Sequence, residues 1–587
     1  MKEFVKTMLA VICGIIVLQL IGFIFFLILV GSMASSGKTP MPRNGVLDIN
    51  LADFTLSEQT QESAPDVRSL NFEVLPNVGM HDAVKALEAA AADPAIKFVF
   101  MRPEGIASIS AAEEMRAALL NFRRSGKAVV AYIENPNNVS YYLASACDKI
   151  YMGPYHGSSP QMTGLSGQML FVKDLLSKLG VNVQLIRHGK YKSAGEMFIN
   201  SHASDANREQ NQAMINSMWE TVSTSIAVSR GIEPAVFNGL VDNLSLIFPE
   251  DFLNAGLVDE LLDREALVDK LCMLGQLEDA SLLHLVAFSD YVGAKVNSFP
   301  SHSNVGVIYA DGEIVEGDEL ADIAGDRFVR EIEKARKDAT VKAVVLRVNS
   351  PGGSVLASEK IRGALDRLMA EKPLVASYGA YAASGGYWIS NGCQRIFSDA
   401  TTLTGSIGVF SMIPEFSGTA AKLGVNMEMV NSNAHSDVYS LMRPFDAAEL
   451  AFMQASVEDI YGRFVSLVAE GRFMEPSRVD EIAQGRVWTG AEALEIGLVD
   501  EIGTLEDAIA YAASLAGMVQ ADEYGVVPFP RPLTMMEQML QSFGQSSQEP
   551  SVLTGTPFES AGRCLRNLSY EADAKVYALM PWYIDIR

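Results

Sequence analysis

Five cysteines in 587 residues, Cys13, Cys147, Cys272, Cys393 and Cys564, are odd in number, widely scattered and never in CxxC spacing. That pattern excludes a disulfide framework and a thiolate zinc site and leaves them as small buried hydrophobes. No HExxH or comparable ligand cluster occurs, so no metal or other cofactor is expected. Basic residues are in deficit as well: 46 Lys and Arg stand against 71 Asp and Glu, for a formal charge of -25. Such a chain repels phosphate backbones, and no basic, aromatic-interleaved stripe reverses the sign locally, which argues against a nucleic-acid partner. Histidine is scarce too, with 7 in the chain and only His435 after residue 384.

Apolar residues, by contrast, make up 49% of the sequence, and Gly and Pro are spread throughout, as suits well-cored domains. The length calls for two or more of them. Thr7 to Gly37 carries no charge, and its apolar part exceeds the roughly 20 residues a spanning helix needs. A transmembrane anchor over residues 1–31 is therefore expected, in preference to a signal peptide cleaved near "SMA" (32–34), whose apolar core would be shorter. Lys2 and Lys6 before it favour an N-terminus inside and a body outside the cytoplasm.

The chain repeats itself. "KLGVN" occurs at 178–182 and at 422–426, and "GLVDE" at 256–260 and at 497–501. "YYLASACDKIY" from Tyr141 matches "YWISNGCQRIF" from Tyr387, which pairs Cys147 with Cys393. A tandem duplication follows. The expected units are 45–285 and 303–520, joined by a linker at 286–302 and followed by a C-terminal tail, 521–587, for which the sequence suggests no function. Within a unit, "VKAVVLRVN" (341–349) reads as a buried parallel strand, "SPGGS" breaks it, "LASEKIRGALDRLMAEK" has helical spacing and "PLVASY" is a strand again. This is an α/β fold.

"GAYAASGGYWIS" (379–390) places Ser384 after a strand and at the head of a helix, among alanines and glycines. Such a serine is exposed on a tight turn beside helix N-terminal N–H groups. A second glycine turn, "NSPGGS" (349–354), follows the preceding strand, so Gly352 or Gly353 with Gly385 would form an oxyanion hole. The proton acceptor is less obvious. His435, in the polar loop "NSNAHSD", is one candidate and a solvated surface residue is its plainer reading. The duplication offers another. Ser384 falls opposite Asn138 in the first copy, and the glycine pair opposite "EGIAS" (104–108), which has one glycine. Twelve residues beyond the glycine of "KLGVN", the first copy has Lys192 where the second has Ser436. Complementary loss fits one site that takes its nucleophile from one copy and its base from the other. A lysine base must be neutral, which burial against apolar surface promotes. Lys190, two residues away, reads as solvated.

With "NSPGGS", "YAASGGYW" and "TGSIGV" (404–409) in one half and "GKYKSA" (189–194) in the other, the chain resembles the long form of signal peptide peptidase A, the bacterial protease IV family. The resemblance covers about 45–520 and the anchor. It implies tandem Clp protease/crotonase-like domains after an N-terminal transmembrane helix, with Ser384 as nucleophile, Lys192 as base, and Gly352 or Gly353 with Gly385 as oxyanion donors. It also implies a single-pass protein of the bacterial inner membrane, a homotetramer with its body on the periplasmic side, acting on cleaved signal peptides and other hydrophobic peptides. Two rival readings remain at this stage: a crotonase-like acyl-transfer enzyme, and a catalytically inactive membrane scaffold.

Overall fold

The computed structural model describes residues 45–62, 75–296, 301–534 and 576–580, apart from 107, 319, 321, 521 and 522, together with residue 537 and a few helical positions between 6 and 19. Most of the anchor expected at 1–31 lies outside the described residues. Among the described residues, no helix is long and apolar enough to cross a membrane.

In chain order, the first half contributes strands β1 (Gly45–Asn50), β2 (Ile96–Arg102), β3 (Val129–Ile133), β4 (Lys149–Met152), β5 (Asn182–Arg187), β6 (Glu260–Leu261) and β7 (His284–Ala287). The second half contributes β8 (Asn304–Asp311), β9 (Ile314–Val315), β10 (Ile323–Ala324), β11 (Val341–Ser350), β12 (Gly352–Ser354), β13 (Leu374–Ala383), β14 (Leu403–Gly405), β15 (Phe410–Glu415) and β16 (Val487–Thr489). Two later strands complete it, β17 (Gly525–Phe529) and β18 (Val576–Leu579).

The first sheet has the order β6-β4-β3-β2-β1-β7, parallel throughout. The second has the same plan: β17, β8, β11 and β13 continue through the short strands Ile396–Ser398 and Glu501–Ile502, all parallel. Matching strand order is the duplication written in backbone. Its central strands are buried on both faces, as helices on each side require, so Val341–Ser350 is almost continuously buried rather than alternating. Pro351, which has no N–H to offer a ladder, ends that strand, and Ser354 caps the helix Val355–Met369 by accepting from Ala357 N–H at 3.3 Å.

Both units run past the boundaries expected from sequence. Helix Phe288–Lys295, inside the expected linker 286–302, packs Phe288, Tyr291 and Val292 into the first core at helical spacing. The connection is thus shorter than expected. The second unit, expected to end at 520, extends to β17, which pairs in parallel with β8.

A third sheet draws on both halves, in the order β10-β9-β12-β18-β15-β5. First-half β5 pairs antiparallel with second-half β15 over six residues, Asn182–Arg187 against Phe410–Glu415. This pairing carries the segment that follows β5 into the second unit.

A buried ionic network locks the units together. Arg347 on β11 donates from Nε to Glu58 at 2.6 Å and pairs with Glu114 on helix Ile109–Arg123 of the first unit. Its remaining N–H groups meet Ser377 Oγ at 2.9 Å and the Tyr378 carbonyl at 3.0 Å. On the same helix, Glu113 accepts from Ala400 N at 2.8 Å, and Ser110 donates to Asp399. Removing the cation strands the buried Glu114 carboxylate and the half-buried Glu58 beside it, and breaking a buried pair costs about 3–5 kcal/mol. Arg347→Met should therefore lower the urea midpoint of unfolding by that equivalent, whereas Arg330→Met, at a solvent-exposed pair, should leave it nearly unchanged.

Candidate active site

Ser384 stands between β13 and helix Gly385–Ser390, at φ 54° and ψ -110°. A non-glycine residue in this region is strained by about 1–3 kcal/mol and persists only where its surroundings hold it. Here the Ser384 N–H donates to the Gly405 carbonyl at 2.9 Å, and the Ser384 carbonyl accepts from Trp388 N–H at 2.8 Å. The hydroxyl is thereby turned out of the strand into the gap between the halves.

Lys192 reaches that hydroxyl within one chain: its Nζ lies 2.8 Å from Ser384 Oγ. The lysine follows β5 on the loop carried across by the β5–β15 pairing. Two further partners surround the amine. The Ser406 carbonyl and hydroxyl oxygens lie 3.1 and 3.0 Å from Nζ. Both Lys192 and Ser384 are fully buried, and burial alone drives the amine well below its usual 10.5.

Close backbone packing makes room for the lysine stem. At Gly485, with φ +78°, an added Cβ would meet Lys192 Cβ at 2.5 Å and its backbone N at 2.6 Å. The same turn anchors the loops around it: Tyr191 N–H donates to Gln484 O at 2.8 Å, Gly485 N–H to Ile407 O at 2.8 Å and Ser406 N–H to Arg486 O at 2.7 Å. Ser406 and Gly485 escaped the sequence reading. "TGSIGV" was visible as a motif, but the need for glycine at 485 arises only from a contact between distant loops.

The glycine turn lies beside the nucleophile. A Cβ at Gly352 would fall 2.6 Å from Gly385 N, and one at Gly353 would fall 1.9 Å from the Ile314 carbonyl. Neither position admits a side chain. Gly352 N–H donates to Ser350 Oγ at 3.2 Å. The other candidates sit elsewhere. His435 is on an exposed loop, with Nδ1 3.1 Å from Glu449, and Lys190 lies over the Tyr191 ring in solvent. Asn138 heads the first-unit helix that corresponds to Gly385–Ser390, and its side chain holds Gly164 O at 2.9 Å instead of facing a base. A cleft of about 420 Å³ between the units is lined by Glu58, Asp311, Arg347, Asn349 and Tyr381, and includes neither Ser384 nor Lys192.

Comparison with known proteins agrees with the repeat. The model of peptidase family S49 matches twice, over residues 121–278 and 366–519. "Protease 4" of Haemophilus influenzae is 33% identical over 524 residues, 85% of this chain and 84% of that protein. "Protease 4" of Salmonella typhi is 38% identical over 69% of this chain and 66% of its own. "Serine protease SPPA, chloroplastic" of Arabidopsis thaliana is 29% identical over 78% of this chain and 68% of its own. Among solved structures, a ClpP1 mutant of Listeria monocytogenes covers 35% of this chain and 94% of its own, with 16% identity and a TM-score of 0.24. That score is too low to bear on the fold.

Burial of an amine has a measurable signature. Between the depressed pKa in the fold and 10.5 in the unfolded chain, the unfolded state binds one more proton, so stability rises with pH across that window. Lys192→Met abolishes this slope. The variant should melt at a higher temperature than the wild type at pH 7, with the advantage shrinking toward pH 10. A lower melting temperature at pH 7 would contradict the burial argument.

Proposed function

The chain belongs to peptidase family S49 and is a serine peptidase; from that premise we propose that Ser384 and Lys192 form its nucleophile–base pair. One observation carries the reading, the 2.8 Å approach of a fully buried amine to a buried, strained serine hydroxyl. The Ser406 oxygens accept two N–H bonds of the neutral amine, which leaves its lone pair toward the Ser384 proton. Oγ attacks the scissile carbonyl carbon as Nζ takes its proton. Gly353 and Gly385 N–H groups hold the resulting oxyanion. The ammonium then protonates the leaving nitrogen, the C–N bond breaks, and an acyl-enzyme remains. Lys192 next removes a proton from water, the hydroxide attacks the ester, and Ser384 recovers its proton as it leaves. No step calls for a cofactor.

The physiological role follows as part of the same proposal. The chain is a membrane-anchored endopeptidase of the bacterial inner membrane, with its body on the periplasmic side, that degrades cleaved signal peptides and other hydrophobic peptides as a homotetramer. Two considerations favour it. The charge-free segment from Thr7 to Gly37 is long enough to span a bilayer, and tethering raises the effective concentration of bilayer-held substrate. Beside the site, Phe198, Phe410, Met412, Val172 and Leu176 form an apolar cluster that draws on both halves, suited to apolar side chains.

Hydrolysis of a fluorogenic apolar peptide tests the pair. Ser384→Ala should fall to background, and Lys192→Met should lose about 10²–10⁴ in kcat/KM. In the wild type, kcat/KM should rise with pH through an inflection well below 10.5, because only the neutral amine acts. Near wild-type turnover by Lys192→Met would overturn the assignment.

A further inference from the structure

Helix Asp205–Arg230 buries two kinds of face. Its later turns bury Met214, Met218, Val222 and Ile226, the apolar stripe expected of a helix packed on a core. Its first two turns bury amides instead: Asn207, Gln210 and Asn211 are 0%, 2% and 7% exposed. Burying an amide is costly unless its hydrogen bonds are restored, so the partners of this face show what it serves.

Those partners lie on the loop that carries Lys192. Gln210 Nε2 donates to the Tyr191 carbonyl at 3.1 Å and to Ser193 Oγ at 3.0 Å, while its Oε1 accepts from Val487 N–H of β16 at 3.2 Å. One side chain thus joins the residues on either side of the lysine to the strand that follows Gly485 in the second unit. The Lys192 carbonyl itself accepts from Arg187 Nη1 at 2.7 Å, and that nitrogen lies 3.1 Å from Glu196 Oε1. Glu196 is fully buried, and no step of the proposed mechanism uses it. It accepts from Ser204 Oγ at 2.8 Å, Ser204 N–H at 3.2 Å and Asn207 Nδ2 at 3.0 Å, at the N-terminus of the same helix, where a carboxylate is favoured. Burial opposes its ionisation, but these donors and Arg187 outweigh burial and hold the carboxyl below its usual 4.5.

The other copy supplies a comparison. The N-caps Ser204 and Asp446 open two helices of 26 residues each, Asp205–Arg230 and Ala447–Arg472. Laying the caps together sets Gln210 against Phe452, which is 60% exposed, and Asn211 against Met453. The copy without the lysine also lacks the amide that would hold it.

We infer that Gln210, together with Glu196 acting through Arg187, is a positioning residue for the base: it fixes the backbone from Tyr191 to Ser193 against the second unit and so aims Lys192 Nζ at Ser384. The inference rests on the reading of Ser384 and Lys192 as nucleophile and base. A lysine stem is flexible, so the aim of its amine depends on how firmly its backbone is held. Among the described residues no charged group sets the state of that amine: Arg187 and Glu196 pair with each other, and Lys190, Glu209 and Arg486 form a separate cluster around Tyr191.

The test uses Gln210→Met and Glu196→Gln in the full chain. Each should lower kcat on the fluorogenic peptide by about 10- to 100-fold with KM near the wild-type value, whereas Gln212→Met, on the exposed side of the same helix, should change neither. In the Ser384→Ala background, the ¹³Cε signal of Lys192 should titrate closer to 10.5 in both variants, because a loosened amine regains water. Loss of the Glu196 charge would by itself move the titration the other way, so an upward shift reports the lost hold. Should Gln210→Met fail to fold, Glu196→Gln makes the same comparison. Unchanged kcat, or a lower kcat with the Lys192 titration unmoved, would overturn the inference. If the titration moves while Lys192→Met keeps wild-type turnover, the positioning role stands and the reading of Lys192 as the base fails instead.

Discussion

An amine buried without a carboxylate is the constraint around which this structure is organised. Lys192 is fully enclosed, and the oxygens around its Nζ belong to two serines, Ser384 and Ser406. A charged ammonium there would be expensive, and a neutral one is a base at physiological pH. Every nearby feature serves that enclosure. Gly485 lets backbone lie against the lysine stem, the strained Ser406 turns its oxygens inward, and β5 carries the residue out of its own unit into the other. The fold gives up stability at this point, as active sites commonly do.

Duplication explains how such a site arises from two similar units. Both retain the strand–turn–helix that presents a residue at the helix head, Asn138 in one and Ser384 in the other. Only the second keeps the glycine pair, and only the first keeps the lysine. A base and nucleophile divided in this way need the units fixed to within a fraction of an ångström. The Arg347–Glu58–Glu114 network and the contacts of Glu113 and Ser110 with residues 399–401 supply that rigidity.

Much of this was legible in the sequence, for identifiable reasons. Ser384, Gly352, Gly353 and Gly385 lie in short motifs whose local chemistry is self-explanatory, and Lys192 emerged because two copies could be laid against each other. Ser406 and Gly485 were not legible, since their roles exist only where loops distant in sequence meet. Phe288, Tyr291 and Val292 show helical spacing but sit in a stretch that read as a connection. β18 is the clearest omission. Five residues, "VYALM", carry too little pattern to announce a strand, and the pairing that makes them one comes from β12 and β15, over 160 residues away.

The central claim, that Lys192 is a neutral base held by burial, is most directly tested by titrating the lysine side chains. With ¹³Cε-labelled lysine in the Ser384→Ala chain, the Lys192 signal is assigned by its loss in the Ser384→Ala chain that also carries Lys192→Met. The account predicts that this one resonance titrates well below 10.5, apart from the solvent-exposed lysines. If it titrates with them, the amine is charged at neutral pH and the proposed base is wrong.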